Sequence, residues 1–211
     1  MKKTNILIIA CVLVSLLYWL TYPSLEDWLV YSGERLTKGA FWTLITSLFV
    51  HFDFRHLIGN MVFLYVFGMA FEGEAGGRVT AAAFFVGGVG SLLVSSFYYG
   101  SDISMIGASG AIFTLAAAAM LVKPLKLSIF FLFMPLGVVA VLYFLFNVFA
   151  VALGFGGNVG YVAHVAGFLI GVPFGIACSK GKWAKNLGIV VFMLLAFGAI
   201  SLLLQFLFDL L

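Results

Sequence analysis

Charge is what this sequence has least of: Asp, Glu, Lys and Arg make up 9% of its 211 residues, against roughly 25% in a soluble domain. So few charged groups cannot cover a water-facing surface, which excludes a soluble enzyme and a nucleic-acid binder working through a basic face. A net charge of +3 points to no charged partner. Disorder is excluded by the opposite excess, since 64% of the residues are hydrophobic. The two cysteines, Cys11 and Cys178, both sit inside apolar runs, so no disulfide framework is expected. The strict apolar–polar alternation of a membrane barrel is also missing.

What is present is a helical membrane composition. With 24 Gly and 24 Phe, small residues let helices approach while Phe fills the space between helix and lipid. Apolar runs at about 5–22, 56–71, 79–99, 109–122, 127–152, 159–179 and 186–208 give seven candidate spans. Lys2 and Lys3 ahead of the first run resemble a signal peptide. No small-residue cleavage site follows, however; Tyr18, Trp19, Tyr22 and Pro23 do, as in an uncleaved helix with an interfacial aromatic belt. With the N-terminus inside, eight basic residues (Lys2, Lys3, Arg78, Lys123, Lys126, Lys180, Lys182, Lys185) face the cytoplasm and three (Arg35, Lys38, Arg55) face out. That asymmetry predicts a multi-pass protein, in the cell membrane, with a cytoplasmic N-terminus and an outside C-terminus. No repeat, linker or composition break divides the chain, so one bundle over 1–211 is expected.

The connection from Pro23 to Arg55 is too apolar for a free loop. Phe41, Trp42, Leu44, Ile45, Leu48 and Phe49 have helical spacing, which predicts an amphipathic element lying in the outer leaflet. The fourth run, Ser109 to Val122 before Lys123-Pro124, holds 14 residues, or roughly 21 Å of helix against a hydrocarbon core of about 30 Å. It is too short to cross. The polar stretch from Tyr99 to Gly107 must therefore descend into the membrane to meet it, which irregular backbone does only when buried in protein or lining a watery cavity. Ser109 is expected submerged, at a helix start.

Other polar side chains fall at a similar depth. His56 and Asn60 are four apart and share a helix face near the outer end of the second span, and His164 lies about five residues into the sixth. Singly, a serine in a Gly- and Ala-rich helix is ordinarily a packing residue, and an asparagine in a span is often inter-helix glue. An intramembrane histidine suggests function by default, and four polar residues from three helices in one layer strengthen that reading. A hydroxyl is a poor nucleophile until a base takes its proton, and neutral imidazole suits that task. The acidic residues all lie in loops or at span ends, so a Ser109–His164 dyad is favoured over a triad. The Ser109 N–H, with His56 and Asn60, can supply oxyanion donors. Gly167 and Gly171, three and seven residues after His164, form a GxxxG face that brings the sixth helix against the Ala116–Ala119 stretch of the fourth.

Three blocks then match a known pattern. His51-Phe-Asp-Phe-Arg-His56-Leu-Ile-Gly-Asn60, Gly107-Ala-Ser109-Gly110 and Ala163-His164-Val-Ala-Gly167-Phe-Leu-Ile-Gly171 resemble the signature blocks of the rhomboid intramembrane serine proteases, over roughly residues 1–179. The resemblance implies an all-α polytopic bundle of six core transmembrane helices, with the run at about 186–208 as an additional C-terminal helix. It also implies that Ser109 is the nucleophile, His164 the general base, and His56 and Asn60 the oxyanion donors beside the Ser109 backbone, with Gly107 in the same oxyanion and substrate-binding group. Glu72 matches an acidic residue taken as structural. The first-loop helix and the fifth helix resemble the family's embedded loop and lateral substrate gate. Two positions depart from the pattern: Trp42-Thr43 stands where the family often has Trp-Arg, and Phe113 stands where it often has a Tyr stacked on the histidine. Phe113 shares a face with Ser109 and can still stack.

These readings predict a serine endopeptidase that hydrolyses peptide bonds in or near transmembrane helices of membrane-protein substrates, working in the lipid bilayer without a cofactor. No metal is expected, because His51, His56 and His164 lack matching carboxylate or thiolate ligands. The loop Gly154-Phe-Gly-Gly-Asn158 is a candidate cap over the cavity. The competing readings are an inactive rhomboid-like protein that binds client helices and a small transporter; the latter lacks the expected inverted repeat.

Overall fold

A computed structural model describes residues 1–155 and 159–209, with side chains through 205. The chain is a helical bundle in which five helices are long and apolar enough to cross a membrane: Lys3–Thr21, Phe54–Ala75, Gly77–Tyr99, Tyr161–Cys178 and Trp183–Gln205. In chain order the helices are α1 (Lys3–Thr21), the short first-loop turns α2 (Glu26–Leu29), α3 (Gly33–Thr37) and α4 (Thr43–Thr46), then α5 (Phe54–Phe63) and α6 (Met69–Ala75). After these come α7 (Gly77–Tyr99), α8 (Ser109–Val122), α9 (Leu136–Ala152), α10 (Tyr161–Cys178) and α11 (Trp183–Asp209). A π-helical turn over Leu64–Gly68 joins α5 to α6, so together they make the second span.

Seven apolar runs thus become five full-length helices and two short ones. The α8 helix occupies 14 residues, as its flanking signals dictate: Gly107, at φ +115°, ends the descent before it, and Lys123-Pro124 stops it. The fifth run is shorter than expected. Leu127–Ser128 and Met134–Pro135 pair as a two-stranded antiparallel hairpin, and helix begins only at Leu136. Pro135 has no N–H and disfavours helical backbone before it, so an apolar run of 26 residues (127–152) yields 17 residues of helix.

The α8 helix is the centre of the bundle. Every residue from Gly110 to Leu121 is buried, which requires a sequence apolar all round. Small residues set its spacing from α10: a methyl group on Gly167 would overlap the Gly110 carbonyl, and one on Gly171 would overlap the Thr114 carbonyl. Gly175 continues the same face against Ala118 and Leu121. The GxxxG face therefore meets Gly110 and Thr114 most closely, and through Gly171 it also reaches Ala117 of the alanine stretch. On the other side, Gly87 and Gly88 of α7 receive Thr114 and Ala111. Thr114 Oγ1 donates to the Gly167 carbonyl at 2.8 Å, a polar tie across the tightest crossing.

One end of the bundle is closed by polar clamps. The Glu72 carboxylate accepts from Lys3 N at 2.8 Å, Thr4 N at 2.9 Å and Thr4 Oγ1 at 2.6 Å, capping the start of α1 from another helix. Lys123 Nζ meets Glu74 at 2.7 Å, and Asn186 Nδ2 donates to the Leu121 carbonyl, docking α11 on the end of α8.

At the opposite end the first loop is more broken than its helical spacing predicts. The α4 turn passes into a 3-10 turn at Ser47–Phe49 rather than one continuous helix. Amphipathicity survives, with Phe41, Trp42 and Ile45 exposed and Thr43, Ser47 and Leu48 buried. With Thr at 43, the basic anchor of this loop is Arg35. Its guanidinium reaches Asp27 at 2.7 Å, Glu26 at 3.4 Å and Ser104 Oγ at 3.5 Å.

Candidate active site

The backbone leading to Ser109 is exposed at 101–104 and becomes buried in the protein by Gly107 and Ala108. Met105 N donates to the Tyr31 carbonyl at 2.8 Å and Gly107 N to the Ser47 carbonyl at 2.9 Å, so the first loop satisfies the descending strand. Ala108 N approaches His51 Nε2 at 3.5 Å. His51 is held from α1: Ser15 Oγ donates to the Phe49 carbonyl at 3.1 Å and lies 3.0 Å from His51 Nδ1. A hydroxyl has one proton to give. With that proton on Phe49, Nδ1 must carry its own, and Nε2 is left to accept from Ala108. A relay from α1 thus fixes the residue before Ser109.

His56 and Asn60 stand on α5, whose first turn is capped by Asp53 accepting from His56 N at 2.7 Å. Phe52 N donates to His56 Nδ1 at 3.4 Å. A backbone N–H can only donate, so the neutral ring carries its proton on Nε2. That nitrogen faces Gly107: a Cβ there would lie 3.1 Å from His56 Nε2 and 3.8 Å from Asn60 Nδ2. Asn60 Nδ2 is buried and, among the described residues, has no hydrogen-bond partner. Two side-chain N–H donors therefore converge on the backbone two residues before Ser109.

His164 comes from the other side, on α10. Its ring lies flat on Phe113 of α8, centroids 4.6 Å apart and planes 9° apart. Its neighbours Ala163 and Gly167 bracket Gly110, the residue after Ser109. Ser109 and His164 thus flank the tightest contact between α8 and α10, but no direct hydrogen bond joins them among the described interactions. The Nδ1 atom of His164 lies 2.7 Å from Asn147 Oδ1 on α9. The sequence pattern points to no such partner, because an orienting group for a catalytic histidine is ordinarily a carboxylate. An available signal was the isolation of Asn147, the single amide in the apolar helix Leu136–Ala152.

A half-buried serine at a helix start thus has a histidine on one flank and two N–H groups on the other. Such an arrangement has the parts of acyl transfer: a hydroxyl, a base and donors for a developing oxyanion. The candidate cap at 154–158 lies partly outside the described residues, at 156–158.

Fold and site together define a polytopic helical membrane protein with polar groups gathered around a half-buried serine at a helix start. The Rhomboid domain model matches residues 38–181, which covers all three motif blocks, and the chain belongs to the rhomboid family. It is 38% identical over 84 residues to Rhomboid-like protein 11, chloroplastic, of Arabidopsis thaliana, covering 40% of this chain and 30% of that protein. With RHOMBOID-like protein 5 of the same plant it shares 39% identity over 97 residues, 45% of this chain and 29% of the relative. RHOMBOID-like protein 6, mitochondrial, also from Arabidopsis thaliana, is 30% identical over 135 residues, 64% and 42% respectively. The matches span less than half the length of these relatives.

Proposed function

We propose that the protein is an intramembrane serine endopeptidase that cleaves transmembrane helices of other membrane proteins near their outer ends. Ser109 Oγ attacks the scissile carbonyl carbon while His164 Nε2 takes its proton. The resulting oxyanion is met by His56 Nε2–H, Asn60 Nδ2–H and the Ser109 N–H. Collapse of this intermediate breaks the C–N bond, and the leaving amine takes the proton from His164. Water, deprotonated by the same imidazole, then hydrolyses the Ser109 ester and restores the hydroxyl. Gly107 keeps room for the donors, Phe113 supports the base, and Gly167 and Gly171 keep α10 close to α8.

The observation that carries this reading is the convergence of the Asn60 amide and the His56 N–H on Gly107, two residues before Ser109. Packing alone does not require two side-chain N–H donors on one helix face to meet at one backbone position; an oxyanion site does, because its acceptor arrives with the reaction. The N-terminus is assigned to the cytoplasm from the distribution of Lys and Arg.

Purified protein with a labelled transmembrane substrate tests the reading. Wild type is expected to cleave and to label with a fluorophosphonate, and both signals should vanish in Ser109→Ala and in His164→Ala. A protein that binds helices but neither labels nor cleaves would be a client binder, and the protease reading would fail. Thiol labelling of single cysteines introduced at positions 2 and 55 from each side of the membrane checks the orientation.

A further inference from the structure

Asn147 is 2% exposed, in the middle of an otherwise apolar helix. Burying an amide there is costly unless its groups are paired. Both ends are paired. Its Nδ2 donates to the Tyr143 carbonyl one turn back at 2.7 Å, and its Oδ1 lies 2.7 Å from His164 Nδ1.

The two contacts fix each other. A carbonyl can only accept, so the NH2 end of the amide must face Tyr143 and the oxygen must face His164. Amide oxygen also only accepts, which places the ring proton on Nδ1. The neutral imidazole then has its lone pair on Nε2. The ring is held on its face by Phe113 and at its Nδ1 edge by Asn147, from different helices.

We propose that Asn147 is a positioning residue that locks His164 in the Nδ1–H tautomer, leaving Nε2 free to take the Ser109 proton; this rests on the protease reading above. In a histidine, which nitrogen carries the proton is set by the bond the other makes. A carboxylate in this place would also add a buried charge among the apolar side chains of α9. The amide fixes tautomer and orientation without one. An asparagine serving only as glue between α9 and α10 would affect stability but have no influence on the base.

The test uses the full chain in detergent micelles with ¹⁵N-labelled histidine. His164 signals are identified by their loss in His164→Ala. In wild type they should show Nδ1 protonated and Nε2 unprotonated, and in Asn147→Leu a mixture of tautomers. A wild-type proton on Nε2, or no change in Asn147→Leu, would overturn the proposal. In cleavage assays Asn147→Leu should lower kcat ~10- to 100-fold with KM little changed, the size typical when a metal-bound histidine loses its outer-shell partner. Asn147→Asp, which keeps an acceptor at the same reach, should recover most of it. Equal losses in the two variants at unchanged thermal stability would also overturn it. A wild type that shows the Nδ1–H signals yet cleaves nothing would sink the protease reading alone, since the tautomer is read without activity.

Discussion

Phe113 and His164 lie face to face, their ring planes 9° apart at a centroid separation of 4.6 Å. The stack joins α8, which begins at Ser109, to α10, and it needs only an aromatic face. A phenol hydroxyl adds nothing to that contact. Phe113→Tyr should therefore cleave at close to the wild-type rate. Phe113→Ala frees one face of the imidazole and should lower kcat by about two- to tenfold, the equivalent of an aromatic contact of ~0.5–1.5 kcal/mol. Rates on one labelled transmembrane substrate measure both variants. An unaffected Phe113→Ala would remove this residue from the support of the base.

The oxyanion donors give a larger expected effect. His56→Ala and Asn60→Ala each remove one N–H aimed at Gly107. Each should reduce kcat by about 10²- to 10³-fold, as for other preorganised donors, while KM changes little. Asn60→Ala also removes an Nδ2 group that has no hydrogen-bond partner among the described residues, so its melting temperature should not fall. A variant that loses stability and activity together would show Asn60 to be a packing residue instead.

What could be read in the sequence differs between helix ends and helix partners. The limits of α8 were legible because Gly107 and Lys123-Pro124 are chemical punctuation that bounds its 14 residues. The neighbourhood of His56, Asn60 and Ser109 followed from spacing and depth alone. The start of α9 was lost because hydropathy is blind to the hairpin at 127–135, in which every side chain but Ser128 is apolar. The first loop broke up for a similar reason. Periodicity over 41–49 reports which face is apolar, but not that Ser47 gives its carbonyl to Gly107. Asn147 was missed because its importance lies in a contact between α9 and α10, 17 residues apart, that no local pattern encodes.

Close approach of α10 to α8 should be as sensitive to added volume as the site is to lost polarity. Gly167→Val places its branch in the Gly110 carbonyl, and Gly171→Val in that of Thr114. Each forces the helices apart, at a cost of ~1–3 kcal/mol or more, and activity should fall with it because His164 rides on α10. Gly188→Ala is the control: nothing lies within 4 Å of a Cβ at that position, and alanine favours helix over glycine by about 1 kcal/mol. Thermal unfolding in detergent should show lower melting temperatures for the two valine variants and an equal or higher one for Gly188→Ala. A tolerated Gly167→Val would mean that this crossing is looser than its geometry.

Stability and chemistry should separate most cleanly at Glu72, at the far end of the bundle from Ser109. Its carboxylate accepts three hydrogen bonds from Lys3 and Thr4, satisfying backbone donors at the start of α1. Glu72→Ala leaves those donors without a protein partner and removes a negative charge from a helix N-terminus, a loss of about 1–2 kcal/mol for a cap of this kind. Glu72→Gln keeps an acceptor but brings an NH2 group toward N–H donors, so it should fall between alanine and wild type. Neither change touches the serine or its donors. At temperatures well below unfolding, both variants should retain the wild-type kcat and fluorophosphonate labelling while melting earlier. A loss of kcat in fully folded Glu72→Ala would instead mean that the α1 clamp is coupled, through Ser15 and His51, to the backbone before Ser109.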